Sequence, residues 1–269
     1  MEPLSGILRY HLAAALLLCV LLHGCYPAPK APIDTVRYEA GDRNGPRLLF
    51  VYLPGRGDPI TAFQREGLLA AVRERGMNAD VVAVNAHLGY YLDGSVITRL
   101  NEDVIGPARA VHAYEQIWFI GNSLGGFGAL SYVREHPEEV TGVLLLGPYL
   151  GEKQVIQDIK QAGGLERWEP GDITTVRSQE NAEKLVWVWI RDHARKNLIG
   201  TAPEGCAAGM MCIPSIYLGY GLSDRFAYSH EYLAALLPPG HVIARKGGHD
   251  WTTWKKLFNQ FLDQDIFKP

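Results

Sequence analysis

The chain has 269 residues, of which 47% are hydrophobic, and its 26 basic and 29 acidic side chains give a formal net charge of −3. This length and apolar content exclude a small disulfide-stabilised domain and an intrinsically disordered chain. The near-neutral charge, without any run of basic residues, argues against nucleic acid as a partner.

The first predicted element is an uninterrupted apolar run from Leu12 to Leu22, preceded by Arg9. A membrane-spanning helix needs about 20 residues, so this shorter run is typical of the hydrophobic region of a signal peptide. It is followed by a Leu-His-Gly-Cys sequence that ends at Cys25 and resembles a bacterial lipobox. We therefore predict a lipoprotein signal peptide over residues 1–24, with cleavage before Cys25 and diacylglycerol attachment to its thiol.

Lipidation at Cys25 predicts a membrane-anchored protein. Two or three acyl chains would hold it on a bilayer, where one chain alone binds marginally. The proline-rich stretch that follows suits an extended tether, which we assign to residues 25–40. The predicted location is a bacterial cell envelope, on the periplasmic side of the outer membrane in a Gram-negative cell. The alternatives are an ordinary signal peptide or an uncleaved anchor.

After the tether, short apolar strands alternate with helical segments. Strands are predicted at 48–53, 80–84, 116–120, 141–146, 215–218 and 241–244, and helices at 60–75, 96–113, 124–135, 227–237 and 251–266. Continuous apolar strands separated by helices predict an α/β fold with a mostly parallel sheet covered on both faces.

The segment between residues 148 and 212 is too long for a single crossover between strands. It is rich in tryptophan and charge, and we predict an inserted helical cap at 148–212 within one domain over 41–269. The alternative is an elaborated crossover on the far side of the sheet. Within this segment Cys206 and Cys212 are close enough to form a local disulfide in an exported, oxidising compartment. Metal binding is the competing interpretation, but no histidine cluster lies nearby.

A Gly-Asn-Ser-Leu-Gly sequence over residues 121–125 lies between a predicted strand and a predicted helix. The small residues let the chain turn sharply, so that the oxygen of Ser123 is exposed above the edge of the sheet. The helix N-terminus favours negative charge that develops there. We predict that Ser123 is a nucleophile rather than a serine with a structural role in a turn.

A serine hydroxyl needs a base to remove its proton. His249 lies in a glycine-rich loop between the last strand and the closing helix, where such a base is expected, and His87 is the other histidine that a pocket could contain. The base in turn needs a carboxylate. Asp224 is the first acid after the strand at 215–218, whereas Asp250 directly follows His249 and is poorly placed to face it.

Two backbone N–H groups are predicted to bind the oxyanion that forms during acyl transfer. One belongs to Leu124, directly after the nucleophile. The other is assigned to Arg56, in the glycine-containing loop after the first predicted strand. The Arg56 side chain is then free to contact substrate, or it is a solvent-exposed charge.

With these residues the chain resembles the α/β-hydrolase superfamily over residues 45–266, apart from the insert. The sequences at 123–129 and 247–254, the latter Gly-Gly-His-Asp-Trp-Thr-Thr-Trp, are similar to the esterase D-type carboxylesterases. The resemblance implies ester hydrolysis through an acyl-serine intermediate, without a metal or organic cofactor. Pro54 stands where many relatives have histidine, and the insert resembles that of capped lipase-type hydrolases.

The predicted function is a membrane-anchored serine hydrolase that cleaves small-molecule or lipid carboxylic esters. Tyr90 and Tyr91 follow a strand end and either line the substrate pocket or pack in the core. The same triad also serves thioesterases, peptidases and acyltransferases, because the fold does not determine the leaving group. A non-catalytic, surface-anchored binding protein is a further alternative, against which the intact Ser123, Asp224 and His249 argue.

Overall fold

The computed structural model describes residues 26–41, 48–111, 114–174, 178–198 and 214–267, except for the side chains of 193–198. The strands are β1 (Thr35–Tyr38), β2 (Leu48–Leu53), β3 (Ala79–Val84), β4 (Gln116–Asn122), β5 (Gly142–Leu146), β6 (Ser215–Gly221) and β7 (Val242–Arg245). The α-helices are α1 (Ala62–Arg65), α2 (Leu68–Glu74), α3 (Leu88–Leu92), α4 (Val96–Leu100), α5 (Gly106–Val111), α6 (Leu124–Glu135), α7 (Lys153–Gln161), α8 (Gln179–Leu198), α9 (Ala227–Ala234) and α10 (Trp251–Asp263). A π-helical turn spans Asn101–Ile105, and a 3-10 turn spans Pro137–Glu139.

All seven strands belong to one sheet in the order β1-β3-β2-β4-β5-β6-β7. The strands β3, β2, β4, β5, β6 and β7 run parallel, and β1 pairs antiparallel with β3. The carboxyl ends of the parallel strands therefore share one edge, which we call the carboxyl edge. In open α/β sheets this edge carries the ligand-binding loops. The predicted α/β fold with a mostly parallel sheet is confirmed.

The strands β2, β3 and β5 are buried along their whole length because nearly all of their residues are apolar. In β2, Leu49, Val51 and Leu53 point into one apolar cluster, together with residues of α4 and α6. Phe50 and Tyr52 point into a second cluster, formed with residues of α1, α2 and α10. All six residues of β2 are buried, as expected for a parallel strand covered by helices on both sides.

The last part of the predicted tether is a strand of the sheet. Residues 25–40 were assigned to the tether, but Thr35–Tyr38 forms β1, whose Thr35 pairs with Val84 and Tyr38 with Val81. Val36 and Tyr38 pack against the apolar core, whereas Arg37 is exposed. A four-residue edge strand has a weak sequence signal, and its backbone hydrogen bonds come from β3, more than 40 residues away.

Two predicted helices are interrupted. The helix predicted at 60–75 is divided into α1 and α2 at Gly67, which has a positive φ of 84°. The helix predicted at 96–113 contains the π-helical turn directly before Gly106 and Pro107. Proline lacks a backbone N–H and clashes with the carbonyl four residues earlier, and a wider turn relieves both problems.

The described part of the insert packs against the core. Val155, Ile156 and Ile159 of α7 and Trp187 of α8 belong to the same apolar cluster as one face of the sheet. The indole N–H of Trp187 donates a hydrogen bond to the Leu150 carbonyl at 2.8 Å. A cap that covers the site remains a prediction.

Several predictions lie outside the described residues: the signal peptide, the lipidation site Cys25, and the disulfide between Cys206 and Cys212. Within the described ranges, no helix combines the length and apolar character needed to cross a bilayer.

Candidate active site

Ser123 occupies a sharp turn between β4 and α6. Its backbone has φ 50° and ψ −118°, a left-handed conformation that is rare for residues other than glycine. The turn requires Gly125, since a Cβ there would lie 1.9 Å from the Leu53 carbonyl oxygen. It also requires Gly121, since a Cβ there would lie 2.4 Å from the Gly125 carbonyl oxygen. Strain of this kind is concentrated at functional sites, where the surrounding structure maintains it.

The three residues predicted for the triad form one chain of hydrogen bonds. Nε2 of His249 lies 2.9 Å from Oγ of Ser123. Nδ1 of the same ring lies 3.0 Å and 2.9 Å from the two carboxylate oxygens of Asp224. The carboxylate accepts only if Nδ1 carries the proton, and Nε2 is then free to accept the serine hydroxyl proton. Ser123 and Asp224 are 6% and 5% exposed, so little water competes for these bonds.

Asp224 is held in its ionised form. Burial by itself would raise the pKa of the carboxyl group, but hydrogen bonds from His249 and from the N–H of Phe226 outweigh it and keep the pKa below its ordinary value. The Phe226 N–H lies 2.8 Å from Oδ1. The neighbouring acid Asp250 has another role, because it caps α10 by accepting a hydrogen bond from the N–H of Thr253 at 2.9 Å.

The two predicted oxyanion donors belong to two segments that border the nucleophile. Leu124 is the first residue of α6, and the first N–H groups of a helix have no partner within it. Arg56 belongs to the loop after β2. The neighbouring Gly55 lies close to the nucleophile, because a Cβ there would be 3.4 Å from Cβ of Ser123 and 2.8 Å from Nδ2 of Asn122. A side chain at position 55 would therefore displace the side-chain amide of Asn122.

Comparison with known proteins identifies the chain. The family model described as "Putative esterase" matches residues 110–264, which is more than half of the chain and includes Ser123, Asp224 and His249. This chain belongs to the esterase family. The predicted enzyme class, a carboxylic ester hydrolase, is therefore confirmed. No curated protein sequence matches the esterase.

Solved structures resemble the esterase in fold. S-formylglutathione hydrolase FrmB from Staphylococcus aureus has 12% sequence identity and a TM-score of 0.56, over 89% of this chain and 99% of that chain. The fluorophosphonate-binding serine hydrolase FphF of the same organism has 13% identity and a TM-score of 0.57, over 87% and 94%. Est1E from Butyrivibrio proteoclasticus has 12% identity and a TM-score of 0.53, over 90% and 98%. These likenesses show the α/β-hydrolase fold.

The sequence did not indicate the hydrogen bonds that hold the loop after β2 in place. Asp58 accepts a hydrogen bond from Nδ2 of Asn122 at 3.0 Å and another from the indole N–H of Trp251 at 3.1 Å. The amide oxygen of Asn122 accepts a third from the Tyr52 hydroxyl at 2.7 Å. The only sequence signal was the position of Asn122 inside the Gly-x-Ser-x-Gly motif, which does not reveal a partner.

The position of His230 in a predicted helix of the sequence predicts a surface residue, and this prediction is wrong. Its side chain is 0% exposed, and its Nε2 lies 2.7 Å from the Pro148 carbonyl. Burial lowers the pKa of His230 and outweighs the opposing effects of this carbonyl and of nearby Asp224. The neutral ring therefore joins α9 to the segment after β5, which also packs against the turn at Gly126.

Aromatic side chains surround the proposed base of the esterase. The rings of Phe226 and Trp254 meet His249 edge-on, with centroids 5.1 Å and 4.9 Å away. Tyr149 extends this wall from Phe226, at 5.5 Å, to Phe127, at 5.9 Å. Such contacts restrict the rotation of the imidazole and create an apolar border beside the nucleophile.

The insert contributes to this wall through a buried acid. The Tyr149 hydroxyl donates a hydrogen bond to Glu183 of α8 at 2.5 Å, and Glu183 is 1% exposed. Burial and then this hydrogen bond raise the pKa of Tyr149. The second oxygen of Glu183 accepts from the N–H of Glu152 at 2.9 Å, so both of its carboxyl oxygens have hydrogen-bond partners.

Of the other residues predicted near the site, His87 and Tyr90 lie away from it. His87 caps α3 by accepting a hydrogen bond from the N–H of Gly89 at 3.1 Å. Tyr90 is 1% exposed and hydrogen-bonded to the backbone of Lys30. Tyr91 lies at the end of the aromatic wall, with its ring 6.5 Å from Phe127.

One group of potential metal ligands occurs among the described residues. It consists of His136, Glu138 and Glu139, whose ligand atoms lie within 4.8 Å of one another. The group follows the C-terminus of α6, at the opposite end of that helix from Ser123. Glu139 already contacts Tyr132 and Arg109, and the group is not part of the candidate active site.

Proposed function

We propose that this esterase cleaves carboxylic esters through an acyl-serine intermediate. Ser123 is the nucleophile, His249 the base and then the acid, and Asp224 the group that orients and stabilises His249. The observation that carries the proposal is the continuous hydrogen-bond chain from Asp224 through His249 to Ser123.

In the first step Oγ of Ser123 attacks the ester carbonyl carbon while Nε2 of His249 takes the hydroxyl proton. The N–H groups of Leu124 and Arg56 stabilise the oxyanion that forms. The bond between the carbonyl carbon and the alcohol oxygen then breaks, and His249 transfers its proton to the leaving alcohol. Asp224 stabilises the transient imidazolium.

In the second step His249 removes a proton from water, and the resulting hydroxide attacks the acyl-serine. The bond between the acyl carbon and Oγ breaks, Ser123 regains its proton from His249, and the carboxylic acid leaves. Proton transfer, covalent catalysis and oxyanion binding in this mechanism all use protein groups.

Hydrolysis of short and long p-nitrophenyl esters by residues 26–269 tests this mechanism. Ser123→Ala should abolish turnover and labelling by a fluorophosphonate. Ser131→Ala, a similarly buried serine on α6, is the matched control and should retain both. Turnover that survives Ser123→Ala would refute the nucleophile. Thioesters and amides of the same acyl group, measured alongside, separate esterase from thioesterase or peptidase use of the triad.

We also propose that the protein is held on a bacterial membrane by a lipid on Cys25. The supporting features are the apolar run, the lipobox-like sequence before Cys25 and the prolines after it. Expression of the full chain in a bacterium should give a membrane-bound protein with the added mass of a diacylglyceryl group. Cys25→Ser should abolish that added mass, and Cys19→Ser, within the removed signal, should not. A wild-type protein without lipid would refute the anchor.

A further inference from the structure

The first described residues of the chain lie beside the candidate active site. The Arg56 guanidinium donates a hydrogen bond to the hydroxyl of Tyr26, and its central carbon lies 5.5 Å from the centroid of the tyrosine ring. Arg56 belongs to the loop that flanks Ser123. The chain therefore enters the domain at the mouth of the site.

The segment that follows Tyr26 is attached to the domain at several points. The Pro27 carbonyl packs so closely on Gly89 that a Cβ there would lie 2.5 Å from it. The N–H of Lys30 donates to the Tyr90 hydroxyl at 3.0 Å, and the N–H of Ile33 donates to Asp103 at 2.8 Å. These contacts hold the segment against the carboxyl edge, so it does not act as a free tether from Tyr26 onward.

Exposed apolar side chains are concentrated at the same edge. Among the described residues, the exposed large hydrophobic side chains are Tyr26, Leu92, Val111 and Leu222. Leu92 lies on α3, which follows the carboxyl end of β3, and Leu222 directly follows β6. Val111 ends α5 and precedes the amino end of β4, so it lies at the opposite edge.

We propose that the mouth of the active site faces the bilayer, and that the substrates are acyl esters of lipids in that same membrane. The inference rests on the proposed lipid anchor at Cys25. Consecutive Cα atoms are about 3.8 Å apart, so the lipid would be attached one residue from the side chain that contacts Arg56. The exposed Leu92 and Leu222 are at the edge that would then meet the membrane surface, where apolar area strengthens binding.

The first experiment changes the distance between anchor and domain. The lipidated full chain is placed in phosphatidylcholine vesicles that contain a fluorogenic phospholipid ester, and p-nitrophenyl acetate is the water-soluble substrate. A Gly/Ser spacer of about 20 residues, inserted between Cys25 and Tyr26, has a reach of roughly 25 Å. The ratio of bilayer-ester to soluble-ester hydrolysis should fall by at least about fivefold, because the site loses its enforced proximity to the bilayer.

The second experiment changes the proposed membrane-facing surface. The double variant Leu92→Asp/Leu222→Asp should lower the same ratio, whereas Val111→Asp, at the opposite edge and equally apolar, should not change it. A ratio that neither the spacer nor the double variant lowers would refute the inference while leaving the esterase mechanism intact. A wild-type chain without lipid would refute both the anchor and this inference, and would leave the esterase mechanism intact. If the protein hydrolyses neither the bilayer ester nor the soluble ester, the proposed function is refuted, and this inference with it.

Discussion

The carboxylate of Asp58 accepts a hydrogen bond from the side chain of Asn122 at 3.0 Å. Asn122 precedes the proposed nucleophile, and Asp58 lies two residues after Arg56, the proposed oxyanion donor. The other oxygen of Asp58 accepts from Trp251, at the start of the helix that follows His249. One carboxylate thus connects three segments of the candidate active site.

Asp58→Asn should lower kcat by roughly 10- to 100-fold, because hydrogen bonds to charged groups contribute about 1.5–3 kcal/mol and about 1.4 kcal/mol corresponds to a factor of ten in rate. The side-chain amide of asparagine at position 58 would point its own N–H groups at one of the two donors, Asn122 or Trp251, and that hydrogen bond would be lost. Steady-state kinetics with a p-nitrophenyl ester measures the effect. Asp93→Asn, an exposed acid at the same edge, is the control, and an unchanged kcat for Asp58→Asn would show that the loop is held by other contacts.

Asp224→Asn should reduce kcat by about 10⁴-fold, the effect of the corresponding change in the serine-protease triad. The amide would favour the wrong tautomer of His249 and could not stabilise its charged form. Asp250→Asn is the control variant. Its activity should remain close to that of the wild type, because asparagine still caps a helix well. The reverse pattern in the two variants would reassign the acid of the triad.

Gly125→Ala should destabilise the fold by about 3 kcal/mol or more, in the upper part of the range for overpacked sites. The new methyl group would meet the backbone carbonyl of Leu53, which cannot rotate away as a side chain can. Urea unfolding followed by fluorescence measures the change. Gly41→Ala, where nothing lies within 4 Å of the added Cβ, should unfold like the wild type. Equal stability of the two variants would mean that the turn relaxes easily.

The free energy of unfolding should depend on pH through His230. Its pKa in the folded protein is lowered by burial, whereas in the unfolded chain it is about 6.5. Its contribution to stability is therefore complete above pH about 6.5 and is lost as the pH falls from there toward the folded pKa. His230→Gln keeps a donor for the Pro148 carbonyl and removes the titration, so stability should fall less steeply on acidification. Parallel curves for the two proteins, from urea titrations, would contradict this.

The main elements could be predicted from sequence because their signals are local. A fully apolar strand, a Gly-x-Ser-x-Gly turn and a helix start are each contained within a few neighbouring residues. These signals placed Ser123 at the carboxyl edge, and the order of strands indicated Asp224 and His249 as its partners. The predictions that failed also depended on local signals. The strand β1 has only four residues, which is too short for a periodic pattern. Gly67 divides a segment whose apolar spacing predicts a single helix.

The sequence by itself determined the fold class and the three residues of the proposed triad, because strand, turn and helix signals are read from neighbouring positions. Only the tertiary structure decided which distant side chains meet. Asp58 and Trp251 are 193 positions apart, and His230 and Pro148 are 82 apart. The position of Tyr26 against Arg56 is of the same kind. Such contacts depend on how complete elements pack around the sheet, and no short pattern in the chain records that packing.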